Sequence, residues 1–307
     1  LLIKKLSTAG AGILTLIIFA CLKLSYFPEQ WKHAYVIPIK KPGKNGQIVG
    51  NYRPISLLSN VSKIVDKVIA VRLQQHTEEL NVLPDSQHGF RKRRSTTTQL
   101  MNVTKSMRLN LNNSITTGVL FLDIEKAFDR VWHNGLLYKM EQFNYPKSII
   151  KLIASFLRNR TFQVQLKGTI STLKEIPYGC PQGAVLSPML YNIYIADAPC
   201  PNKCSVSFYA DDTAIFCNER RWANTEDHLN AAINDFFNYF EKWKISINTG
   251  KTGALIVTRR TKKELPSTPF IVNSKQIEWS SEAKYLGVVL DKRLTLAKYV
   301  EYVIQKA

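Results

Sequence analysis

The stretch VSFYADDTAIF, residues 206–216, decides the fold. Apolar residues flank two adjacent carboxylates, Asp211 and Asp212, a pattern typical of a β-hairpin whose turn holds the acids. Two like charges at a turn repel each other, and a turn that needed only polarity would use Asn-Gly or Asp-Gly. The pair therefore suggests a divalent cation between the strands, although the dipeptide alone is more simply explained as a solvated turn.

A third carboxylate follows an earlier strand. Residues 118–122 are a short apolar run, which predicts a strand buried on both faces, and Asp123 comes directly after it. Enzymes of the α/β type place ligands and catalytic groups just past the carboxyl end of such strands. Asp129, before the next helix, is more simply explained as a local cap. Asp123, Asp211 and Asp212 together could hold two Mg²⁺ ions for nucleotidyl transfer.

The net charge favours a polyanionic partner. The 307 residues include 42 Lys and Arg against 23 acidic residues, a formal charge of +19, and 45% are hydrophobic. A chain of this size and composition buries a large core and attracts nucleic acid or an anionic membrane. The basic residues cluster in three segments, residues 40–44, 91–94 and 259–263. Several basic loops around one acidic site fit a nucleic-acid channel better than a membrane surface.

Two other patterns suggest a membrane segment and a zinc site, and we expect neither. Residues 9–22 are apolar, but these 14 residues are fewer than the roughly 20 that a membrane span needs. We predict instead that they belong to a buried helix at residues 3–24. Cys200 and Cys204 have a metal-like spacing without a nearby histidine or second cysteine pair. The five cysteines, scattered and odd in number, also argue against a disulfide scaffold.

Apolar periodicity and turn residues predict the remaining elements. Strands are expected at residues 34–39, 52–58, 162–166, 173–176, 244–248, 254–257 and 283–291. Helices are expected at residues 61–80, 97–110, 147–156, 189–195 and 225–243, with one more ending at Phe143 and another beginning near Leu296. Ser62 is a candidate cap for the first of these helices, and Ser95 or Thr96 for the second.

Seven sequence blocks occur in one order along nearly the whole chain. They are NYRPISLLS (51–59), QHGFRKRRST (87–96), FLDIEKAFDRV (121–131), GCPQGAVLSPMLYNIY (179–194), FYADDT (208–213), INTGKT (247–252) and KYLGVVLD (284–291). This series resembles a reverse transcriptase, specifically those of LINE-like non-LTR retrotransposons of the jockey type. The resemblance implies an α+β right-hand polymerase whose palm is an antiparallel sheet packed on helices. Fingers would comprise residues 1–100 and 136–182, the palm 101–135 and 183–287, and the start of a thumb 288–307.

The resemblance also implies roles for individual residues. Asp123, Asp211 and Asp212 match the catalytic carboxylates, which would hold two Mg²⁺ ions, or Mn²⁺ as a substitute, with help from the Ile124 carbonyl. Lys251 matches a general acid for the pyrophosphate. The residues expected at the incoming dNTP are Lys40 or Lys41, Arg53, Phe128, Gln182 and Gly183. The residues expected at the template and primer are Arg91, Arg93, Arg94, Tyr285, Leu286 and Gly287.

Some of these assignments have open alternatives. Phe128 matches a gate against the ribose 2′-hydroxyl, but without the resemblance it is better explained as a core aromatic that anchors the next helix. The choice between Lys40 and Lys41 is open because the loop that follows has no fixed register. Lys251 is preceded by Gly250, where an acidic or polar residue is common in the family.

The implied function is RNA-directed DNA polymerisation, with an RNA template, a DNA primer and dNTPs as partners. No endonuclease, CCHC knuckle or RNase H pattern is found, which indicates a fragment of a longer polyprotein or a degenerate copy. One alternative is therefore a truncated retroelement remnant that binds nucleic acid without polymerising, because the thumb that normally holds primer and template is barely begun. Another is a viral RNA-dependent RNA polymerase, which usually has Gly where Ala210 precedes the acids. The resemblance implies intracellular action in the nucleus, and the oligomeric state stays open.

Overall fold

The computed structural model describes residues 5–260, 270–272 and 275–306. The helices in these residues are α1 (Thr8–Leu24), α2 (Asn60–Glu79), α3 (Thr96–Asn112), α4 (His133–Gln142), α5 (Lys147–Leu157), α6 (Ser187–Tyr194), α7 (Trp222–Lys242) and α8 (Ala297–Lys306). The strands are β1 (His33–Lys40), β2 (Tyr52–Leu57), β3 (Thr116–Asp123), β4 (Arg160–Leu166), β5 (Thr169–Ile170), β6 (Lys174–Ile176), β7 (Cys204–Tyr209), β8 (Asp212–Glu219), β9 (Gly253–Val257), β10 (Phe270–Val272), β11 (Lys275–Ile277), β12 (Trp279–Ser280), β13 (Glu282–Tyr285) and β14 (Val288–Asp291). Most predicted elements lie within a few residues of these bounds.

The paired acids lie at the tip of the predicted hairpin. Strands β7 and β8 pair antiparallel, with Tyr209 opposite Asp212, so that Ala210 and Asp211 form the connection. The φ of Ala210 is 55°, in the left-handed region that non-glycine residues rarely adopt. The backbone therefore reverses direction immediately before Asp211.

A five-stranded sheet contains this hairpin. Its order is β12-β9-β3-β8-β7, with antiparallel neighbours except for the parallel pair β9 and β12. Every residue of β3 before Asp123 is buried, which confirms the predicted strand buried on both faces. The register places Asp123 opposite Asp212. The two carboxylate-bearing segments therefore meet at one edge of the sheet.

Helices cover both faces of this sheet. Val103 and Met107 of α3 lie in one apolar cluster with Val119 of β3, together with residues of β8, β9, β13 and β14. Successive strand residues face opposite sides, and Gly118 faces Leu229 of α7 on the other side. Strand β3 is thus enclosed between two helices, which explains its continuous burial.

The strand predicted at residues 244–248 is wrong. Lys244 has a φ of 54°, which turns the chain at the end of α7. The next residues then form only an isolated bridge, Ile247 with Ile124, beside the end of β3. Strand β9 pairs with β3 instead of with this segment.

The single strand predicted at residues 283–291 is also wrong, because it is a hairpin. Leu286 and Gly287, with φ of 47° and 86°, reverse the chain between β13 and β14. Gly adopts left-handed backbone without steric cost, and a turn whose two central residues both have positive φ places Leu286 in the same region. The apolar run hides this turn because Leu286 contributes to the pattern of a strand.

The chain divides into two compact units, one of Leu1–Leu83 and Phe128–Tyr194 and the other of Pro84–Ala127 and Ile195–Ala307. The sheet described above belongs to the second unit. The first unit has its own sheet of order β2-β1-β4-β5, with β6 also paired to β4. Strands β1 and β2 form the predicted antiparallel hairpin. The subdomain bounds drawn from the resemblance stay a prediction.

The prediction that residues 9–22 form a buried helix is wrong. Of the side chains of α1, only Cys21 is buried, whereas Ile13, Leu16 and Phe19 are 61%, 69% and 60% exposed. Apolar residues occur all around this helix, so periodicity cannot indicate which side packs. The predicted start at residue 3 lies outside the described residues. Across the residues that the structure describes, no helix has the length and apolarity that crossing a bilayer requires.

One of the two predicted helix caps is wrong. Helix α2 begins after Ser59, which makes no side-chain cap bond, and Ser62 lies inside the helix and donates to the Ser59 carbonyl. Ser95 does cap α3, in a reciprocal capping box with Thr98. The cap at Ser95 forms because the side chains of Ser95 and Thr98 each accept a hydrogen bond from the other residue's backbone amide.

A buried carboxyl group on α2 makes the first unit sensitive to pH. Asp66 is fully buried, and burial raises its pKa to about 7. The nearby Arg160 guanidinium acts in the opposite direction and keeps the pKa from rising further. The folded state therefore holds this proton more tightly than the unfolded chain does. The resulting stabilisation is complete below about pH 4 and is lost as the pH rises through about 7.

We expect Asp66→Asn to remove this pH dependence. Between pH 4 and 8 the free energy of unfolding of the wild type should fall relative to the variant, by up to about 4 kcal/mol. Denaturant unfolding of both proteins across this range measures the difference. Parallel stability curves would contradict the assignment.

Candidate active site

Three carboxylates come together at the edge of the second unit's sheet. Asp123 ends β3 opposite Asp212, and Asp211 lies in the adjoining turn. Partial burial raises the pKa of Asp211, and the charge of Asp123 raises it further. Partial burial also raises the pKa of Asp212 to about 6, and repulsion from Asp211 and Asp123 adds to the shift. This accumulated negative charge is the condition that a cation would relieve.

The donor set suits a hard divalent cation. Among the residues that the structure describes, no group of three or more His, Cys, Asp or Glu side chains forms a ready-made metal site. Mg²⁺ needs no such cage, because it keeps several waters and is held by one or two carboxylates together with substrate phosphates. The bridge beside β3 uses the Asp123 carbonyl and the Glu125 amide. It leaves the Ile124 carbonyl outside the pairing.

Lys251 lies beside these acids, where the resemblance expects it. Its Nζ is 3.2 Å from Oδ2 of Asp123, and its charge lowers the pKa of both Asp211 and Asp212. The loop is held by the Asn248 amide, which donates to the Asp123 carbonyl at 2.8 Å. Lys251 itself is exposed, so the ion pair contributes little to stability and leaves the ammonium group accessible.

The acidic turn, which is formed by Ala210 and Asp211, is supported by residues 86–89. These residues precede the arginines that the resemblance assigned to the template. His88 donates its amide to the Phe208 carbonyl at 2.9 Å, and Phe208 donates to the Ser86 carbonyl at 2.9 Å. Gln87 is buried, and Gly89 packs directly on Ala210. The signal that could have revealed this was Gly89 two residues after an uncharged Gln in an otherwise basic loop.

The basic loop that follows has two kinds of arginine. Arg91 donates to the Pro84 carbonyl at 2.8 Å, and Arg94 pairs with Asp85 at 2.7 Å. Arg93 is exposed at a φ of 63°. Arg91 and Arg94 therefore shape the loop, whereas Lys92 and Arg93 present charge to solvent. Lys262 and Lys263 of the third basic segment lie outside the described residues.

The expected primer-contacting residues form the turn between β13 and β14. The Tyr285 side chain is only 3% exposed, with its ring 5.0 Å from that of Phe121. Its hydroxyl accepts a hydrogen bond from Gln99, and burial raises its pKa. Tyr285 is thus a core residue, and Leu286 and Gly287 carry the surface that a primer could contact.

In the first unit, a loop around Gln182 gathers several of the predicted nucleotide-binding residues. The Gln182 side chain donates to Asp129 Oδ1 at 2.8 Å, and its carbonyl accepts from the Ser56 amide at 3.0 Å. The Cys180 amide donates to the Phe128 carbonyl at 2.7 Å. Asp129 is therefore not the cap of α4, which begins after Trp132 without a side-chain cap. This prediction is wrong because Gln182 takes the carboxylate.

Gly183 and Phe128, two of the residues predicted at the incoming nucleotide, lie in the same unit. Gly183 has a φ of 117°, and a Cβ there would lie 2.9 Å from the Ser56 carbonyl, so only glycine fits. The ring of Phe128 packs 5.2 Å from that of Tyr191 and remains partly exposed.

Of the basic residues predicted at the triphosphate, Lys40 and Arg53 are exposed on β1 and β2. Lys41 instead donates to the Gly50 carbonyl at 2.9 Å. Its ammonium group thus closes the loop between the two strands. The structure leaves the choice between Lys40 and Lys41 open, because Lys41 could release this exposed bond.

Sequence relatives identify the family. The family model described as reverse transcriptase (RNA-dependent DNA polymerase) matches residues 39–290. The chain is 34% identical over 307 residues to the "Probable RNA-directed DNA polymerase from transposon BS" of Drosophila melanogaster, covering 97% of this chain and 34% of that protein. It is 34% identical over 312 residues to the "RNA-directed DNA polymerase from mobile element jockey" of the same species, covering 99% and 34%. The chain thus spans about a third of the length of the curated relatives it matches.

Solved structures agree with the fold. Apo telomerase from Candida tropicalis superposes with a TM-score of 0.56 at 16% identity, covering 87% of this chain and 48% of that one. A telomerase from Candida albicans gives a TM-score of 0.54 at 11% identity, covering 88% and 46%. These likenesses confirm the predicted α+β right-hand polymerase fold. The chain belongs to the reverse transcriptase family, with its relatives among the non-LTR elements of the jockey type.

Proposed function

We propose that this chain carries the polymerase activity of an RNA-directed DNA polymerase, which extends a DNA primer on an RNA template with dNTPs. The observation that carries the proposal is the meeting of Asp123, Asp211 and Asp212 at one sheet edge, with Lys251 beside them. Family membership supplies the substrate class. Action in the nucleus at chromosomal DNA follows from the resemblance alone.

The three carboxylates and the Ile124 carbonyl would hold two Mg²⁺ ions, for which Mn²⁺ could substitute. When bound, the ions would activate the primer 3′-hydroxyl and stabilise the charge on the leaving pyrophosphate. Lys251, exposed 3.2 Å from Asp123, would donate a proton to the pyrophosphate. The turn at Leu286 and Gly287 would support the primer strand.

In the first unit, Arg53 and one of Lys40 and Lys41 would bind the triphosphate. Arg53 is exposed and carries no ion pair among the described residues, so its guanidinium is free to bind phosphate oxygens. The backbone around Gln182 and Gly183 would face the nascent base pair. Both residues are fixed against Ser56, which gives this surface a rigid base.

Template choice tests the proposal directly. Purified protein should extend oligo(dT) on poly(rA) with dTTP, and it should use the matched poly(dA) template no better. Extension that requires rNTPs would instead favour an RNA polymerase. Binding of both duplexes without extension would favour a non-polymerising remnant.

Phe128 should control sugar choice. A ribose 2′-hydroxyl placed against the partly exposed Phe128 ring would cost about 1–3 kcal/mol through overpacking. Phe128→Val should therefore raise rNTP incorporation about tenfold or more while dNTP incorporation survives. Single-nucleotide insertion with dTTP and UTP measures both rates. Equal loss for both, together with a lower melting temperature, would make Phe128 a core residue.

The exposed part of the basic loop should hold nucleic acid by counterion release. Neutralising Lys92 and Arg93 should reduce the slope of log affinity against log salt by about 2. Titration of a labelled RNA/DNA duplex at several salt concentrations measures the slope. The matched control, neutralising the exposed Lys167 and Lys174 of the other unit's strand region, removes the same charge. Equal slopes for both variants would show that only net charge matters.

A further inference from the structure

One buried side chain connects the acidic turn to the segment beside β7. Gln87 is 1% exposed, and its Oε1 accepts hydrogen bonds from the Gly89 amide at 2.8 Å and from the Ala210 amide at 3.2 Å. Both partners are N–H donors, so the amide oxygen must face them and the orientation of the side chain is fixed. Gln87 therefore touches the residue immediately before Asp211.

Ala210 needs such support. Its φ of 55° is a conformation that L residues rarely adopt, and here it determines the direction in which the chain leaves β7. Ala210 is also buried, so an unpaired amide at this position would be costly. The Gln87 carbonyl satisfies this amide and holds the residue in its left-handed conformation.

Gly89 makes this arrangement possible. A Cβ at position 89 would lie 2.3 Å from the Ala210 nitrogen and 2.9 Å from the Tyr209 carbonyl carbon, both of them backbone atoms. Neither can move without displacing the acidic turn. The segment from Ser86 to Gly89 is therefore fitted to the backbone of the turn, and the basic part of the loop begins after it.

We infer that Gln87, seated by Gly89, is a positioning residue for the metal-binding turn: it holds Ala210 in its left-handed conformation and so places the Asp211 carboxylate for a divalent cation. This inference rests on the proposed function. Residues 86–89 would thus position the metal-binding turn, and the arginines that follow them would remain the predicted contact with the template.

The Ala210→Gly substitution distinguishes this positioning role of Gln87 from a general packing role. Gly adopts a φ near 55° without steric cost, so Ala210→Gly removes the conformational need for the Gln87 bond. Gln87→Met keeps the size of the side chain and removes the acceptor. If Gln87 acts by holding Ala210, Ala210→Gly should rescue Gln87→Met. If Gln87 only fills the core, added glycine should weaken the protein further.

The experiment measures Mn²⁺ in four proteins: wild type, Gln87→Met, Gln87→Met with Ala210→Gly, and the control Gln99→Met. Gln99 is an equally buried glutamine on α3, bonded to Tyr285 and not to the acidic turn. Mn²⁺ alone is titrated and followed by electron paramagnetic resonance, and the Mn²⁺ concentration for half-maximal primer extension is measured in parallel. Thermal unfolding is recorded for each protein.

We expect Gln87→Met to weaken both Mn²⁺ measures about tenfold, the equivalent of one ordinary hydrogen bond. The double variant should return to within about threefold of the wild type, and Gln99→Met should lower the melting temperature without changing Mn²⁺ affinity. Unchanged Mn²⁺ affinity in Gln87→Met, or no rescue by Ala210→Gly, would overturn the inference. Primer extension by the wild type would still support the proposed function in that case. A wild type that neither binds Mn²⁺ nor extends a primer would overturn both.

Discussion

Asp123→Asn and Asp211→Asn should each reduce primer extension by at least about a hundredfold, because each would remove a charge that is proposed to hold the metal ions and several kcal/mol of transition-state stabilisation. Template affinity should stay the same or increase, since the variants repel the phosphate backbone less. Extension rates on poly(rA)/oligo(dT) and duplex binding measure the two effects separately.

Asp235→Asn is the matched control, because Asp235 is an exposed carboxylate on α7 in the same unit. It removes the same charge and should leave extension within about twofold, as surface substitutions usually do. Residual activity above a tenth of the wild type in Asp123→Asn or Asp211→Asn would contradict the catalytic role of the sheet edge.

Arg160→Met should strongly destabilise the first unit. Arg160 is buried, donates to the Phe156 carbonyl at 3.0 Å and lies 4.8 Å over the Phe156 ring. Its charge lowers the pKa of Asp66 on α2 more than the charge of Lys63 does, so its removal takes the stronger of these two positive charges away from a buried carboxylate. At pH 8, where Asp66 is mostly ionised, we expect a loss of about 3–5 kcal/mol in the free energy of unfolding.

The double variant Arg160→Met with Asp66→Leu separates charge from packing. Replacing two buried opposite charges with apolar side chains of similar volume is often neutral or stabilising, so most of the stability should return. Denaturant unfolding of the single and double variants measures this recovery. A double variant as unstable as Arg160→Met would show that packing around Phe156 dominates.

The elements with one clear periodicity were predictable. The run before Asp123 and the hairpin around Asp211 have the patterns that buried strands require, and the structure has both. Helix α1 was predicted, but its burial was mispredicted because hydrophobic residues on all its sides do not reveal which side packs. The turn at Leu286 and Gly287 was missed because its two left-handed residues lie inside an apolar run.

The candidate site was predictable where a side chain carries the chemistry and not where the backbone does. Lys251 beside Asp123 followed from the resemblance. The support of Ala210 by Gln87 could not be predicted, because it depends on one backbone angle and on hydrogen bonds between distant segments. Asp129 has the sequence context of a helix cap, and its partner Gln182 becomes its neighbour only in the folded unit.

Metal-dependent extension tests the central claim most directly. Wild-type protein with poly(rA)/oligo(dT) and dTTP should incorporate nucleotide in Mg²⁺, lose all incorporation in EDTA, and recover it when Mg²⁺ or Mn²⁺ is restored. Incorporation that persists in EDTA, or protein that binds the duplex and never extends it in either metal, would contradict the assignment of Asp123, Asp211 and Asp212 as a polymerase active site.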